Sequence, residues 1–134
     1  MTTTFNNYIC HTNTWYWGTS IDIVHKNGIG IICVKLDDDY PSTAFICDLS
    51  VFELNRKQGI GRELMKSALA VARKHGKSYA ELYVDKEKDW IVAWYSSLGF
   101  EIVKIDAHEY TMLKHLEDDK DDIKQYLAKE MAKS

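Results

Sequence analysis

Apolar and polar positions follow two different patterns along the chain. Up to Phe52 the apolar residues are mostly β-branched or aromatic and are separated by turn residues, which predicts strands. The predicted strands lie in NNYICHTNT, WGTSIDIVH, GIGIICVKL and TAFICDLSVF. The pair Asn27-Gly28 stands between two of them and is a strong hairpin signal, so Gly28 and Gly30 are interpreted as turn residues.

A helical pattern replaces the strand pattern at the start of the second half of the chain. Apolar residues recur at helical spacing from Ile60 to Ala72, and His75-Gly76 supplies a stop, so a helix is predicted here. A strand, a short helix that Gly99 closes and two more strands are then predicted in SYAELYVD, KDWIVAWYSSLG, FEIVKID and EYTMLKHL. Residues 117–134 carry an apolar stripe with acids first and lysines last, which favours a C-terminal helix over a frayed extension.

Composition narrows the classes of partner. The chain has 134 residues, of which 46% are hydrophobic, and this suits one domain with a single core. A net charge of -3 gives no overall attraction to nucleic acid or to an anionic membrane. The sequence contains neither a long apolar run nor a basic and apolar leader, so we expect a cytoplasmic protein without a membrane partner.

The cysteines suggest no metal or disulfide. Cys10, Cys33 and Cys47 are odd in number and widely spaced, which matches neither zinc-ligand spacing nor a disulfide framework. A cysteine within an apolar run usually behaves as a small hydrophobic residue. We therefore expect reduced, mostly buried thiols and no bound metal.

The stretch NRKQGIGREL joins a predicted strand to the predicted helix. Gly59 and Gly61 have no side chains, so a ligand can approach the backbone at the N-terminus of the predicted helix. Unpaired N–H groups and the helix dipole favour the binding of a phosphate there. Arg56, Lys57 and Arg62 add local positive charge. A P-loop needs Lys and then Ser or Thr after the second glycine, and a dinucleotide-binding loop needs a third glycine. The sequence has neither.

A third pattern fits better. The motif R-x-x-G-x-G at residues 56–61, followed by AWYSSLGF, resembles the GNAT superfamily of N-acetyltransferases. The resemblance covers about residues 44–116, including FICDLSVFELNRKQGIGREL and LYVDKEKDWIVAWYSSLGFEIV. It implies an α+β fold of three layers, with a mixed, mostly antiparallel sheet of about six or seven strands and helices packed on both faces. Members usually have two helices after the first strand, but residues 1–28 are strand-like, so this pair is expected to be reduced or absent.

The resemblance also divides the chain and assigns a cofactor. We expect one domain, with N-terminal strands in residues 1–43, an acetyl-CoA-binding core in residues 44–116 and a C-terminal helix in residues 117–134. The pantetheine arm of acetyl-CoA would pair with the strand that contains Leu49 and Val51. The pyrophosphate would bind the loop residues Arg56, Lys57, Gln58, Gly59, Ile60, Gly61 and Arg62.

Two catalytic residues follow from the same resemblance. Tyr95 matches the family tyrosine near the sulfur of coenzyme A and would protonate the departing thiolate, or would only hydrogen-bond the cofactor. An amine with a pKa near 10 must lose a proton before it attacks, so a base is required. Asp48 is the best candidate base, and its alternative is a solvent-facing carboxylate. Glu53 and Asp85 are weaker candidates, and Lys88 stands where many members place an asparagine that contacts pantetheine.

The function implied is acetyl-CoA-dependent N-acetylation of a primary amine, on a small molecule or a protein, by direct attack in a ternary complex. The alternative is a non-catalytic acyl-CoA-binding sensor or interaction domain of the same fold. Acidic runs in the sequence mildly favour a cationic acceptor. The sequence leaves a homodimer open.

Overall fold

The computed structural model describes residues 2–5, 7–52 and 59–116. Within them the chain forms eight strands, two α-helices and one 3₁₀-helix. In chain order these are β1 (Thr2–Phe5), β2 (Tyr8–Trp15), β3 (Gly18–His25), β4 (Gly30–Asp37), β5 (Thr43–Val51), α1 (Ile60–Lys74), β6 (Tyr79–Asp85), the 3₁₀-helix (Lys86–Ile91), α2 (Val92–Ser97), β7 (Glu101–Ile105) and β8 (Glu109–His115).

All eight strands belong to one sheet, in the order β1-β2-β3-β4-β5-β6-β8-β7. The first five form an antiparallel series in which each strand pairs with its neighbour in sequence. Helix α1 then crosses over, and β6 pairs parallel with β5. Strand β8 inserts between β6 and β7, antiparallel to both. The predicted α+β fold with a mixed, mostly antiparallel sheet is confirmed.

The sheet has one strand more than the six or seven expected. The additional strand is β1, which pairs with β2 at the edge of the sheet. Its sequence, TTTF, has no apolar alternation, so the pattern did not indicate it. The predicted strands after β1 are confirmed, and alternate residues such as Tyr8, Cys10, Ile21 and Ile23 are buried as that pattern requires.

Strands occupy the part of the chain where GNAT proteins usually have two helices. Residues 8–15 and 18–25 form the paired strands β2 and β3. Within the described part of residues 1–28, no helix is present. The expected loss of the N-terminal helix pair is therefore confirmed.

Helix α1 packs its apolar stripe on the sheet as its sequence predicts. Leu64, Met65 and Ala68 are buried in the core. The helix ends at Lys74 with His75 as its C-cap, and Gly76 follows with φ of 74°, a conformation that favours glycine. Among the described residues, no helix is long and apolar enough to span a membrane.

The two N-terminal glycines have different roles. Gly28 has φ of 71°, and its N–H donates to the carbonyl of His25, so its prediction as a turn residue is confirmed. The prediction for Gly30 is wrong, because Gly30 lies buried in β4. A Cβ there would lie 2.9 Å from Cδ1 of Leu64 and 3.2 Å from Cγ2 of Ile60. Gly30 therefore lets the first turns of α1 approach the sheet closely.

Candidate functional site

A cleft opens where the parallel strands β5 and β6 separate. Their pairing covers only Thr43–Phe45 and Tyr79–Glu81. The residues that follow on both strands line a cleft of about 310 Å³. The lining residues are Ile46, Cys47, Asp48, Leu49, Leu82, Tyr83, Val84, Asp85, Lys88, Ile91 and Tyr95.

A β-bulge in β5 lies at the mouth of this cleft. Cys33 pairs with Cys47 and Ile31 with Ser50, so three steps along β5 oppose two along β4. Asp48 takes up the extra length with φ of 57°, and it is the only non-glycine residue with positive φ in the described part of the chain. A bulge bends and twists its strand, which accounts for the separation of β5 from β6 at this point.

The strand residues predicted to hold pantetheine lie in two places. Leu49 is half-buried and lines the cleft. Val51 is half-buried as well, but it pairs with Gly30 and lies beside the start of α1, with its Cγ2 3.9 Å from the Cβ position of Gly61. The register of β5 with β6 ends at Phe45, so the backbone edge beyond it faces the cleft.

The N-terminus of α1 is open as the glycine pattern predicts. Gly59 caps the helix with φ of 80° and is exposed, and no side chain among the described residues caps it. The first-turn N–H groups, which include those of Gly61 and Arg62, lack partners within the helix and carry its partial positive charge. The side chain of Arg62 is exposed, and that of Ile60 is buried in the core. The predicted ligands Arg56, Lys57 and Gln58 lie outside the described residues.

Tyr95 lines the cleft from α2. Its ring is half-buried, with centroids 5.2 Å from Trp94 and 6.1 Å from Phe100. Burial raises the pKa of the Tyr95 hydroxyl above its ordinary value of about 10. The hydroxyl is therefore protonated at neutral pH. Trp94 lies against Gly61, which brings α2 beside the first turn of α1.

The carboxylates at the cleft differ in their hydrogen-bond partners. Asp48 is exposed at the bulge. Asp85 lies at the end of β6 and accepts a hydrogen bond of 2.9 Å from the N–H of Glu87, which caps the 3₁₀-helix. Glu53 lies outside the described residues. Lys88 is exposed and lines the cleft with φ of -112° and ψ of 36°, a break in the helical path.

The sequence did not indicate one further feature of the cleft, the contact between two thiols. Cys33 and Cys47 face each other across β4 and β5. The Cys47 thiol donates a hydrogen bond of 3.7 Å to the backbone carbonyl of Cys33. Interaction between the two thiols raises the pKa of Cys33 and lowers that of Cys47. All three cysteines are free, and Cys10 and Cys33 are buried as expected, whereas Cys47 is only half-buried. Only strand register could have shown this contact.

Comparison with protein families matches residues 8–100 to the acetyltransferase (GNAT) family. A nourseothricin acetyltransferase superposes with a TM-score of 0.63 and 16% identity, over 87% of this chain and 86% of that chain. The PaiA N-acetyltransferase from Thermoplasma acidophilum, solved in complex with coenzyme A, superposes with a TM-score of 0.62 and 22% identity, over 72% and 59%. Ard1 from Thermoplasma volcanium superposes with a TM-score of 0.60 and 22% identity, over 72% of this chain and 69% of that chain. At these identities the structural likeness establishes the fold.

Proposed function

The chain belongs to the GNAT family of acetyltransferases, and from this we propose that it transfers the acetyl group of acetyl-CoA to a primary amine. The acceptor would be a small molecule or a protein side chain or terminus. The observation that carries the proposal is the cleft between β5 and β6, which has Tyr95 and Asp48 in its lining. The open N-terminus of α1 lies beside α2, the helix that bears Tyr95.

The backbone supports the binding of an extended cofactor. The edge of β5 beyond Phe45 no longer pairs with β6, so it can hydrogen-bond a pantetheine arm laid along Leu49. The first turn of α1, with Gly61 and Arg62, would bind the pyrophosphate through N–H groups and the helix dipole. Arg56, Lys57 and Gln58 are proposed to complete this loop.

The chemistry is direct transfer in a ternary complex. The amine nitrogen attacks the thioester carbonyl carbon, a C–N bond forms, and the C–S bond then breaks. Tyr95, which is protonated at neutral pH, gives its proton to the departing thiolate as the C–S bond breaks. Asp48 takes the proton of the attacking amine, directly or through water. Tyr95 then regains a proton from solvent and protonated Asp48 releases one, which restores the neutral phenol and the carboxylate for the next turnover.

The charges at the cleft favour a cationic acceptor. Among the described residues, two exposed carboxylates, those of Asp48 and Asp85, line it, against one ammonium group, that of Lys88. A carboxylate attracts an alkylammonium ion more strongly as the surrounding dielectric constant falls. We therefore propose an acceptor with more than one amine, or a lysine side chain in a peptide.

Acceptor-dependent release of thiol tests the function. The protein is incubated with acetyl-CoA and a panel of polyamines, amino acids and lysine peptides, and free coenzyme A is titrated with a thiol reagent. Acetyl-CoA binding is measured in parallel by thermal shift. We expect release above background with at least one cationic amine. A thermal shift without release for any amine would contradict the enzyme and favour the sensor, whereas no shift would contradict the cofactor site itself.

A further inference from the structure

We propose that Cys33, Cys47 and Asp48 form a binding site for a zinc ion. Their ligand atoms, the two Sγ atoms and a carboxylate oxygen, all lie within 4.8 Å of one another. Neither the family nor the proposed acetyl transfer requires such a cluster. The proposal therefore goes beyond the proposed function and does not depend on it.

Strand register brings the two thiols together. Cys33 in β4 and Cys47 in β5 are direct partners in an antiparallel pair. Residues paired in this way project their side chains from the same face of the sheet, with Cβ atoms about 5 Å apart. The Cys47 thiol also donates a hydrogen bond of 3.7 Å to the backbone carbonyl of Cys33. Two ligands are thus held by rigid neighbouring strands.

The bulge supplies the third ligand. In a regular strand, consecutive side chains point to opposite faces, so Asp48 would point away from Cys47. The left-handed conformation of Asp48, with φ of 57°, changes that direction. Its carboxylate instead lies within reach of both sulfur atoms. A conformation that most residues avoid therefore assembles the cluster.

The donor set selects the ion. Two thiolates and one carboxylate are ordinary ligands of Zn²⁺, whereas Mg²⁺ and Ca²⁺ prefer oxygen alone. Burial decreases from Cys33 through Cys47 to the exposed Asp48, so an ion can enter from the Asp48 side. Three protein ligands leave the fourth tetrahedral position for water. Binding releases the thiol protons to solvent.

Neighbouring charges favour a cation overall. Asp22 on β3 is the register partner of Cys33 on the side of β4 away from β5. Lys35 lies near Cys47 and opposes a cation. The carboxylates of Asp22 and Asp48 outnumber this single ammonium group, and the two thiolates formed on binding add further negative charge.

A bound ion would have one consequence for catalysis, and this consequence alone rests on the proposed function. Because Asp48 is the proposed base, Zn²⁺ at this site would engage the carboxylate that must accept the proton of the amine. We expect zinc to inhibit acetyl transfer and a chelator to restore it. Metal binding itself is measured without substrate, so a failure of the zinc site can be distinguished from a failure of the proposed acetyl transfer.

Cobalt substitution tests the site directly. Protein without a histidine tag is reduced, treated with a chelator, desalted under nitrogen and titrated with Co²⁺. We expect sulfur-to-cobalt charge-transfer absorption and the intense visible bands of tetrahedral Co²⁺, saturating at a single equivalent and bleached by Zn²⁺. Cys33→Ser and Cys47→Ser should lose the charge-transfer bands or reduce them strongly. Cys10→Ser removes the third cysteine, which is buried and outside the cluster, and should leave the spectrum unchanged.

Asp48→Asn provides a second test that leaves both thiols of the cluster in place. It should keep the charge-transfer bands but weaken Co²⁺ binding roughly tenfold or more, by loss of a charged ligand. Absence of charge-transfer bands in the wild type at millimolar Co²⁺ would overturn the proposal. It would equally be overturned by a spectrum that both serine variants retain or that Cys10→Ser removes.

Discussion

The Gly61 position faces the indole of Trp94, because a Cβ at Gly61 would lie 3.5 Å from Cζ2 of Trp94. This relationship joins the first turn of α1, proposed to bind pyrophosphate, to the helix that carries Tyr95. The distance is an ordinary van der Waals contact, so a small side chain at Gly61 can be accommodated. The position can therefore be used to separate cofactor binding from folding.

We expect Gly61→Asp to weaken acetyl-CoA binding without destabilising the fold. A carboxylate in the first turn interacts favourably with the helix dipole, by about 0.3–1 kcal/mol, but it repels a pyrophosphate. Isothermal titration calorimetry should show at least a roughly tenfold loss of affinity, which corresponds to about 1.4 kcal/mol. Gly61→Ala is the matched control and should bind nearly as the wild type does. Equal affinity of Gly61→Asp and Gly61→Ala would show that the pyrophosphate does not contact this turn.

We expect Tyr95→Phe to lower kcat with little change in the KM for acetyl-CoA. The change removes a proton donor and keeps the ring that packs between Trp94 and Phe100. General acid catalysis typically contributes about 10²- to 10⁴-fold, so a loss within that range is expected. Steady-state kinetics with the best acceptor from the amine panel measures it.

Tyr79→Phe is the control for this substitution. Tyr79 is half-buried at the start of β6, its ring is 4.9 Å from that of His115, and it does not line the cleft. A raised KM for acetyl-CoA with unchanged kcat in Tyr95→Phe would assign the hydroxyl to cofactor binding and not to proton transfer.

We expect Asp48→Asn to lower kcat and to leave stability close to that of the wild type. Asparagine tolerates the positive φ of this position, so the bulge should persist while the proposed base is lost. Asp85→Asn is the matched control, since Asp85 lines the same cleft and asparagine also caps helices well. Steady-state rates and urea unfolding measure both effects. If Asp85→Asn lost activity while Asp48→Asn kept it, the base would have to be reassigned.

We expect Gly30→Ala to destabilise the protein by about 1 kcal/mol or more, because the added methyl overpacks the contact with α1. Its Cβ would lie 2.9 Å from Cδ1 of Leu64, and that side chain is fully buried. Urea unfolding of Gly30→Ala, Leu64→Val and the double variant measures the coupling between the two sites. The double variant should be more stable than the sum of the single effects implies. Strict additivity would show that the two side chains do not collide.

We expect the burial of Tyr8 to make the protein less stable in alkali. Tyr8 is 4% exposed, and its hydroxyl donates a hydrogen bond to the carboxylate of Glu63. Burial is the larger cause and the hydrogen bond the smaller cause of the raised pKa of Tyr8. The stabilisation is fully present below the unfolded pKa of about 10 and is lost as pH rises through the higher folded pKa. The free energy of unfolding should therefore fall less between about pH 9 and about pH 11 in Tyr8→Phe than in the wild type.

Tyr16→Phe is the control for the alkaline effect. Tyr16 is 99% exposed, so its removal should leave the pH dependence unchanged. Parallel pH profiles of the wild type and Tyr8→Phe would contradict the assignment.

The order of strands and helices could be predicted because apolar residues recur about every two residues in the strands and about every 3.6 residues in α1. Strand β1 could not be predicted in this way, because TTTF has no alternation and is held by pairing with β2. Gly30 was misassigned because sequence does not distinguish a turn glycine from one that lies beneath a helix. Both errors arise from contacts between elements, which local patterns do not contain.

The candidate site likewise has some features that local sequence patterns predict and others that depend on contacts between distant segments. Gly59, Gly61 and Tyr95 belong to motifs of fixed local spacing, so sequence could identify them as candidates. The proximity of Cys33 and Cys47 depends on the register of two strands, and the direction of Asp48 depends on a bulge. Neither feature is encoded in a short segment, and the expectation of no metal or disulfide followed from the spacing of the cysteines alone.

The order of the strands also has a consequence for the path of folding. Strands β1 to β5 pair only with their neighbours in sequence, so this half of the sheet can form from successive hairpins as soon as the chain is made. The cleft requires β6 to reach β5 across the whole of α1, a contact between distant segments with a larger entropic cost. We therefore expect the N-terminal meander to acquire protection from hydrogen exchange early. The cleft proposed to bind acetyl-CoA would then be completed late, so that acetyl-CoA added during refolding would act on the final step.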